Sequence, residues 1–165
     1  MTAPADWIAE LEGTLADLVP ILGRLRGLLV DQREAVAAGD LTRLLAVTTE
    51  QEEASARLQH LEQRRERLQM QLEHALGVRG LYALAEAAIA SETRREEFLA
   101  VVYELLRAAV ALQEERERAA ALLTAAIEVS LRTRSFLRRA AGSEPAYTAA
   151  VGFPGTPLAP PQGEP

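Results

Sequence analysis

The sequence predicts an all-α fold: an elongated antiparallel helical hairpin, packed like a coiled-coil bundle, with a short third helix and a long C-terminal helix. Apolar residues recur at alternating spacings of three and four along three long stretches, which is typical of helices that pack along a seam. Ala, Leu, Glu and Arg dominate the composition, and aromatic residues make up only 4% of the chain. We expect a helical bundle over residues 1–142 and a disordered tail over residues 143–165.

The first two stretches meet at Gly39 and Asp40, in the segment VAAGDLTRL. A glycine just past a helix end can take the left-handed conformation without a side-chain clash. An aspartate in the next position can cap the first amides of a new helix. These adjacent stop and start signals predict that the chain reverses almost at once.

Helix 1 is predicted from about residue 5 to residue 38. Gly13, Pro20 and Gly27 are seven residues apart and fall on the face opposite its seam. A proline inside a helix costs roughly 3 kcal/mol and a glycine about 1, so packing must stabilise this helix. Two interpretations stay open: an ordinary bent bundle helix, or a helix loose enough to swing away from its partners. The predicted seam consists of Ile8, Leu11, Leu15, Leu18, Leu22, Leu25, Leu29, Gln32 and Val36.

Helix 2 is predicted over residues 41–76 and a short helix 3 over residues 81–90. His60 and His74 lie on the outer face of helix 2, without carboxylates at the spacing that a metal site needs. We therefore expect solvated surface histidines. The predicted seam of helix 2 consists of Leu44, Val47, Gln51, Ala54, Leu58, Leu61, Arg65, Leu68, Leu72 and Ala75.

Helix 4 is predicted over residues 94–141, with Thr93 and Glu96 as a capping box at its start. Glu115 falls on its inward stripe, and a buried unpaired carboxylate would be costly. We therefore expect Glu115 to be paired or open to water. The apolar positions of the stripe are Phe98, Val101, Leu105, Ala108, Leu112, Ala119, Leu122, Ala126, Val129 and Phe136, together with Thr133.

The helix lengths suggest where a binding face lies. At about 1.5 Å per residue, helices 1 and 2 are each roughly 50 Å long and helix 4 roughly 70 Å. An antiparallel helix 4 that starts at the open end of the hairpin would overshoot the turn at Gly39. Its last residues are apolar yet would have no partner within the chain, and an exposed apolar face usually marks a place where another molecule binds.

Several function classes are disfavoured. The chain has no cysteine, nucleophile motif, phosphate-binding loop or paired acid and base, so we expect neither an enzyme nor a cofactor. A net charge of −6 argues against binding to nucleic acid. The N-terminal residues lack the pattern of a secretory signal, and no apolar stretch is long enough to insert into a membrane, so we expect a cytoplasmic protein.

The stretch QREAVAAGDLTRLLAVTTEQEEASARLQHLEQRRERL resembles the central signature of the FlgN family of flagellar export chaperones. In that family a Glu-rich helix end, a Gly-Asp turn, a Leu-patterned start and a later Leu-Glu-Arg run recur in this order. The similarity extends more loosely from Ile8 to Leu137. Two features depart from the family: QEERER stands where asparagines are common, and Tyr147 and Gly152 are more widely spaced than the family's Tyr and Gly. The residues that match the signature are Glu34, Ala35, Gly39, Asp40, Leu41, Leu44, Glu52, Leu58, Leu61, Glu62 and Arg65.

The resemblance implies a chaperone that binds hook-associated (hook–filament junction) proteins, keeps them unassembled and escorts them to the flagellar type III export apparatus. An amphipathic client helix would lie along an apolar groove. Tyr147 in the tail would contact the export gate. The candidate client-binding residues are Leu122, Leu123, Ile127, Leu131, Phe136 and Leu137.

Two other interpretations stay open. The chain could be a structural coiled-coil protein that self-associates without a client, with a homodimer covering the apolar face of helix 4. An interfacial membrane adaptor that uses helix 1 is disfavoured, because the polar face of that helix is neither strongly basic nor flanked by aromatic residues. The apolar residues of the tail could equally be binding anchors or part of an inert terminus.

Overall fold

The computed structural model describes residues 4–140, which form helices without a strand in that range. The predicted all-α class, with a hairpin, a short third helix and a long last helix, is confirmed. The chain divides into two compact units, Met1–Ala125 and Ala126–Pro165, with the boundary inside the last helix. The predicted tail lies outside the described residues. The helices are α1 (Pro4–Ala38), α2 (Leu41–Leu76), α3 (Leu81–Ala88) and α4 (Glu92–Ala140).

The turn between α1 and α2 has the predicted chemistry. Gly39 adopts a φ of 67°, in the left-handed region. Its N–H donates to the carbonyl of Val36 at 3.2 Å, and the N–H of Asp40 donates to the carbonyl of Ala35 at 2.9 Å. The Asp40 carboxylate then accepts the N–H of Arg43 at 2.9 Å and caps α2. Free carbonyls of α1 and a free amide of α2 are thus satisfied within the turn itself.

α1 buries a wider face than the predicted seam alone. The predicted seam is buried from Ile8 to Leu25. A second stripe lies beside it, with members seven residues apart and at most 7% exposed. Gly13, Pro20 and Gly27 are exposed, as expected, and each immediately precedes a member of this stripe. The wide buried face supplies the packing that offsets the proline and glycines. The second stripe consists of Thr14, Ile21, Leu28 and Ala35.

Two apolar clusters form the core of the first unit. The first joins the start of α1, the end of α2, one face of α3 and the start of α4. Leu84 of α3 and Phe98 of α4 are fully buried in it. The second lies in the middle of the hairpin, where Leu112 of α4 completes it. The second cluster consists of Leu18, Ile21, Leu22, Leu25, Leu28, Val47, Ala54, Leu61 and Leu112.

The link between α2 and α3 is organised by one carboxylate. Glu73 accepts the amide of Gln69 and the backbone N–H of Gly80, each at 2.8 Å. These hydrogen bonds, first that of Gln69 and then that of Gly80, hold the pKa of Glu73 below its usual value. Gly77 closes α2 with a φ of 67°, and its N–H donates to the carbonyl of Glu73. Glu73 therefore ties the end of α2 to the residue that caps α3.

The boundaries around α3 and α4 differ from the predicted ones. α3 ends at Ala88 and not at residue 90, because Ile89 is extended, with φ −112° and ψ 104°, and its side chain is buried. α4 begins at Glu92, two residues early. The capping box at Thr93 is wrong: the hydroxyl of Ser91 instead accepts the N–H of Arg94 at 3.4 Å.

Two predicted seam positions shift by one residue. Ala75 is exposed, and its neighbour Leu76 packs against the first cluster instead. Val102 is buried at 3% exposure, whereas Val101 is only partly buried. A straight helix has 3.6 residues per turn, whereas the predicted seam assumes a repeat of 3.5. Over a long helix this difference moves the predicted positions away from the buried face.

Within the first unit, α4 contacts the hairpin through side chains. Phe98, Val102 and Leu112 of α4 are buried in the two apolar clusters. Arg94 lies 2.6 Å from Glu12 of α1 and also pairs with Glu97. These carboxylates raise the pKa of Arg94 above its usual value, chiefly through the hydrogen bond to Glu12.

Candidate functional site

Residues 126–140 of α4 present an apolar surface to solvent. None of these residues is buried, although the helix is continuous through them. Apolar groups at this exposure are unusual in such number on one short segment. The five large apolar side chains are between 58% and 64% exposed: Ile127, Val129, Leu131, Phe136 and Leu137.

The exposed apolar residues fall on two strips of the helix. Ala126, Val129, Thr133 and Phe136 follow one another at spacings of three and four, with Leu137 beside them. We call these five residues the seam strip. Ile127 and Leu131 are four residues apart and lie on the opposite side of the helix from Phe136; we call them the outer strip.

The six predicted client-binding residues therefore do not share one face. Phe136 and Leu137 belong to the seam strip, whereas Ile127 and Leu131 form the outer strip. Leu122 and Leu123 belong to the first unit and are partly buried. The candidate list omitted Val129, which is 61% exposed, even though the heptad pattern included it. Tyr147, the predicted export-gate contact, lies outside the described residues.

A buried ion pair lies upstream of this surface, within the first unit. Glu115 is 2% exposed, and its Oε1 lies 2.6 Å from Nε of Arg33 on α1. The two atoms are close enough for an ion pair but lack the alignment of a hydrogen bond. Arg118 approaches the other carboxylate oxygen at 3.3 Å. The expectation that Glu115 is paired is confirmed, and the pair fixes this part of α4 against α1.

A second exposed apolar patch lies on α3 and the first half of α4, and the sequence analysis missed it. The rings of Tyr82 and Tyr103 meet edge to face, with centroids 5.9 Å apart. Hydrogen bonding to Tyr103, and then burial, raise the pKa of the Tyr82 hydroxyl. Leu106 and Val110 continue the patch along α4 at 52% and 59% exposure. The spacing of residues 103, 106 and 110 is the signal that could have revealed it.

Both histidines of the chain, His60 and His74, are exposed on α2. Among the described residues, no three His, Cys, Asp or Glu side chains are grouped so that they could hold a metal ion. Nor is any helix of the described range long and apolar enough to cross a bilayer. What these surfaces offer is apolar area and charge, which suits contact with another protein.

A helical hairpin followed by a short helix and a long last helix with exposed apolar side chains places the chain among all-α proteins. Comparison with known families narrows this class, because the family described as FlgN protein matches residues 1–151. The chain belongs to the FlgN family, and the predicted resemblance is confirmed. This family is one of flagellar export chaperones and is not known for enzymatic activity. No curated protein and no solved structure matches the chain.

Proposed function

We propose that this protein binds hook-associated proteins in the cytoplasm, prevents their premature assembly and escorts them to the flagellar export apparatus. The observation that supports this most directly is the exposed apolar surface of residues 126–140 in a chain of this family. A client segment that folds as an amphipathic helix could cover the seam strip of this surface, which is a common mode of peptide recognition.

The size of the exposed surface suggests how much of it a client must use. Fully burying one large apolar side chain gives about 1.5–3 kcal/mol, so side chains already about 40% buried give roughly 1–2 kcal/mol each. Val129, Phe136 and Leu137 of the seam strip would then provide roughly 3–6 kcal/mol. Association itself costs on the order of 4–15 kcal/mol. Contact with the seam strip alone is therefore too weak for tight binding, and we infer that a second part of the client covers the outer strip.

We propose that the tail closes over the bound client and that Tyr147 contacts the export gate. The support for this role is that the family's tail carries a Tyr followed by a Gly, which Tyr147 and Gly152 match at a wider spacing. Replacing Tyr147 with alanine should leave client binding intact and reduce export of the client. A loss of client binding in this variant would contradict the assigned role.

The proposal can be tested in the full chain by removing apolar side chains from the surface. We expect a Phe136→Ser, Leu137→Ser variant to lose most of its affinity for a hook-associated protein, measured by titration calorimetry. The matched control is Leu41→Ser, Leu45→Ser, because these residues are also about 70% exposed but lie at the start of α2. Equal loss in both variants, or in neither, would contradict the proposed surface.

The alternative function is structural self-association without a client. It predicts a stable dimer at all concentrations and no shift in size-exclusion chromatography when hook-associated proteins are added. A monomer that shifts on addition of a hook-associated protein supports the chaperone.

A further inference from the structure

The last helical segment is basic, in contrast to the rest of the chain. Residues 126–140 contain four arginines and one glutamate. The first unit contains 21 acidic residues against 14 arginines. Glu128 contacts Arg132 at 3.5 Å, an exposed pair of the kind that contributes little. Arg134, Arg138 and Arg139 have no carboxylate partner among the described residues.

Two arginines flank the seam strip in the heptad pattern. When Ala126 and Thr133 are assigned to heptad position a, Val129 and Phe136 fall at position d. Arg132 and Arg139 then both occupy position g. The g positions flank the seam and decide, with the e positions, which helix a coiled-coil strand accepts. The e positions here are Ser130 and Leu137, so neither flank carries an acidic residue.

From this arrangement we infer that the seam strip accepts an amphipathic helix with acidic residues beside its apolar stripe. This inference rests on the proposed function and specifies its partner. Carboxylates on the incoming helix would pair with Arg132 and Arg139 while the apolar stripes meet. A basic or neutral helix of the same apolar pattern would lack these pairs and would be discriminated against.

A second copy of this chain is a poorer occupant of the strip. In an antiparallel pair g positions face each other, so Arg132 and Arg139 would meet the arginines of the other copy. In a parallel pair g faces e, and each arginine would meet Ser130 or Leu137. Neither geometry supplies a carboxylate, so pairing of two seam strips gains no charge complementarity.

An anionic membrane is also a poorer occupant than an acidic helix. The acidic excess of the first unit would be repelled by anionic headgroups. The segment has one aromatic residue, Phe136, whereas helices that lie in the membrane interface are usually richer in such anchors. An acidic protein helix meets the same arginines without these disadvantages.

The test uses the full chain and synthetic amphipathic peptides with one apolar pattern but Glu, Gln or Lys at the flanking positions. Binding is measured by fluorescence anisotropy. We expect the Glu-flanked peptide to bind about threefold to tenfold more tightly than the Gln-flanked one, as for two exposed ion pairs. Rising salt should remove the difference. In an Arg132→Glu, Arg139→Glu variant the preference should reverse toward the Lys-flanked peptide.

Three controls make the outcomes decisive. Arg107→Glu, Arg116→Glu changes the same charge at exposed sites elsewhere on α4 and should keep the preference for Glu. Arg132→Gln, Arg139→Gln should abolish the preference without reversing it, and circular dichroism should show that each variant remains helical. Sedimentation with phosphatidylserine vesicles, compared with phosphatidylcholine vesicles, should show no binding.

Equal affinity for the three peptides would overturn the inference while leaving the proposed function intact. Failure of hook-associated proteins to bind the full chain would instead overturn the proposed function. Binding to phosphatidylserine vesicles that is lost in Arg132→Glu, Arg139→Glu would assign the arginines to a membrane, which also overturns the inference.

Discussion

Glu115 shows how a single polar residue can be held inside a helical seam. The carboxylate is buried on α4, and Nε of Arg33 on α1 lies 2.6 Å from it. A buried ion pair seldom adds much net stability, but it can fix the register of two helices. We interpret the pair as the contact that sets where α4 lies along α1.

Replacing Glu115 with Gln should destabilise the fold by about 1–3 kcal/mol, because it leaves the Arg33 charge partly buried without a counter-ion. The penalty is limited because the Arg33 side chain is 34% exposed. The matched control is Glu114→Gln, whose carboxylate is exposed and also contacts Arg118. The control should change stability by no more than about 0.5 kcal/mol. Urea unfolding followed by circular dichroism would compare them, and equal effects would contradict the assigned role.

At the scale of elements, glycines in α1 and at its end have opposite energetic roles. Gly39 needs its positive φ to close the helix, whereas Gly27 lies in an exposed helical position with open space around it. Gly39→Ala should therefore destabilise the protein by about 1–2 kcal/mol. Gly27→Ala should stabilise it by up to about 1 kcal/mol. Thermal unfolding would measure both, and a stabilising Gly39→Ala would contradict the conformational argument.

The hairpin turn could be predicted from sequence because its determinants are local. Gly39 and Asp40 affect the conformation of only the four or five residues next to them, so a short stretch of sequence is enough to predict the turn. The second buried stripe of α1 was missed because Thr14 is polar and Ala35 is small, so neither continues the pattern of large apolar residues. The cap of α4 was predicted at Thr93, whereas the hydroxyl of Ser91 accepts the N–H of Arg94 and caps the helix in the structure.

The candidate surface was only partly predictable at the scale of the whole molecule. The apolar pattern after Glu115 identified residues that the structure leaves exposed, such as Phe136 and Leu131. The six candidate client-binding residues share hydrophobicity but not position around the helix, so hydrophobicity alone does not show that they divide into two strips. The overshoot of the last helix past Gly39 stays a prediction. The α4 part of the second patch could be predicted from the spacing of its apolar residues, whereas the contact between Tyr82 of α3 and Tyr103 of α4 needed the fold.

The two units should differ in local stability. The first is stabilised by two apolar clusters, whereas residues 126–140 bury no side chain. Helical segments of about 12–15 residues are marginal in water without packing. Amides of residues 126–140 should therefore exchange with deuterium through local opening, long before those near Leu15 and Leu18 in α1. Hydrogen exchange followed by mass spectrometry would measure this difference.

A bound client should reverse that difference, because covering the apolar strips supplies the packing that the segment lacks. Adding a hook-associated protein should slow exchange over residues 126–140 and leave the turn at Gly39 unchanged. Client binding would then be coupled to ordering of the helix end, and part of the gross binding energy would be spent on that ordering. Protection of the free segment equal to that of α1 would show that the helix end needs no partner, and protection confined to other helices would place the client elsewhere.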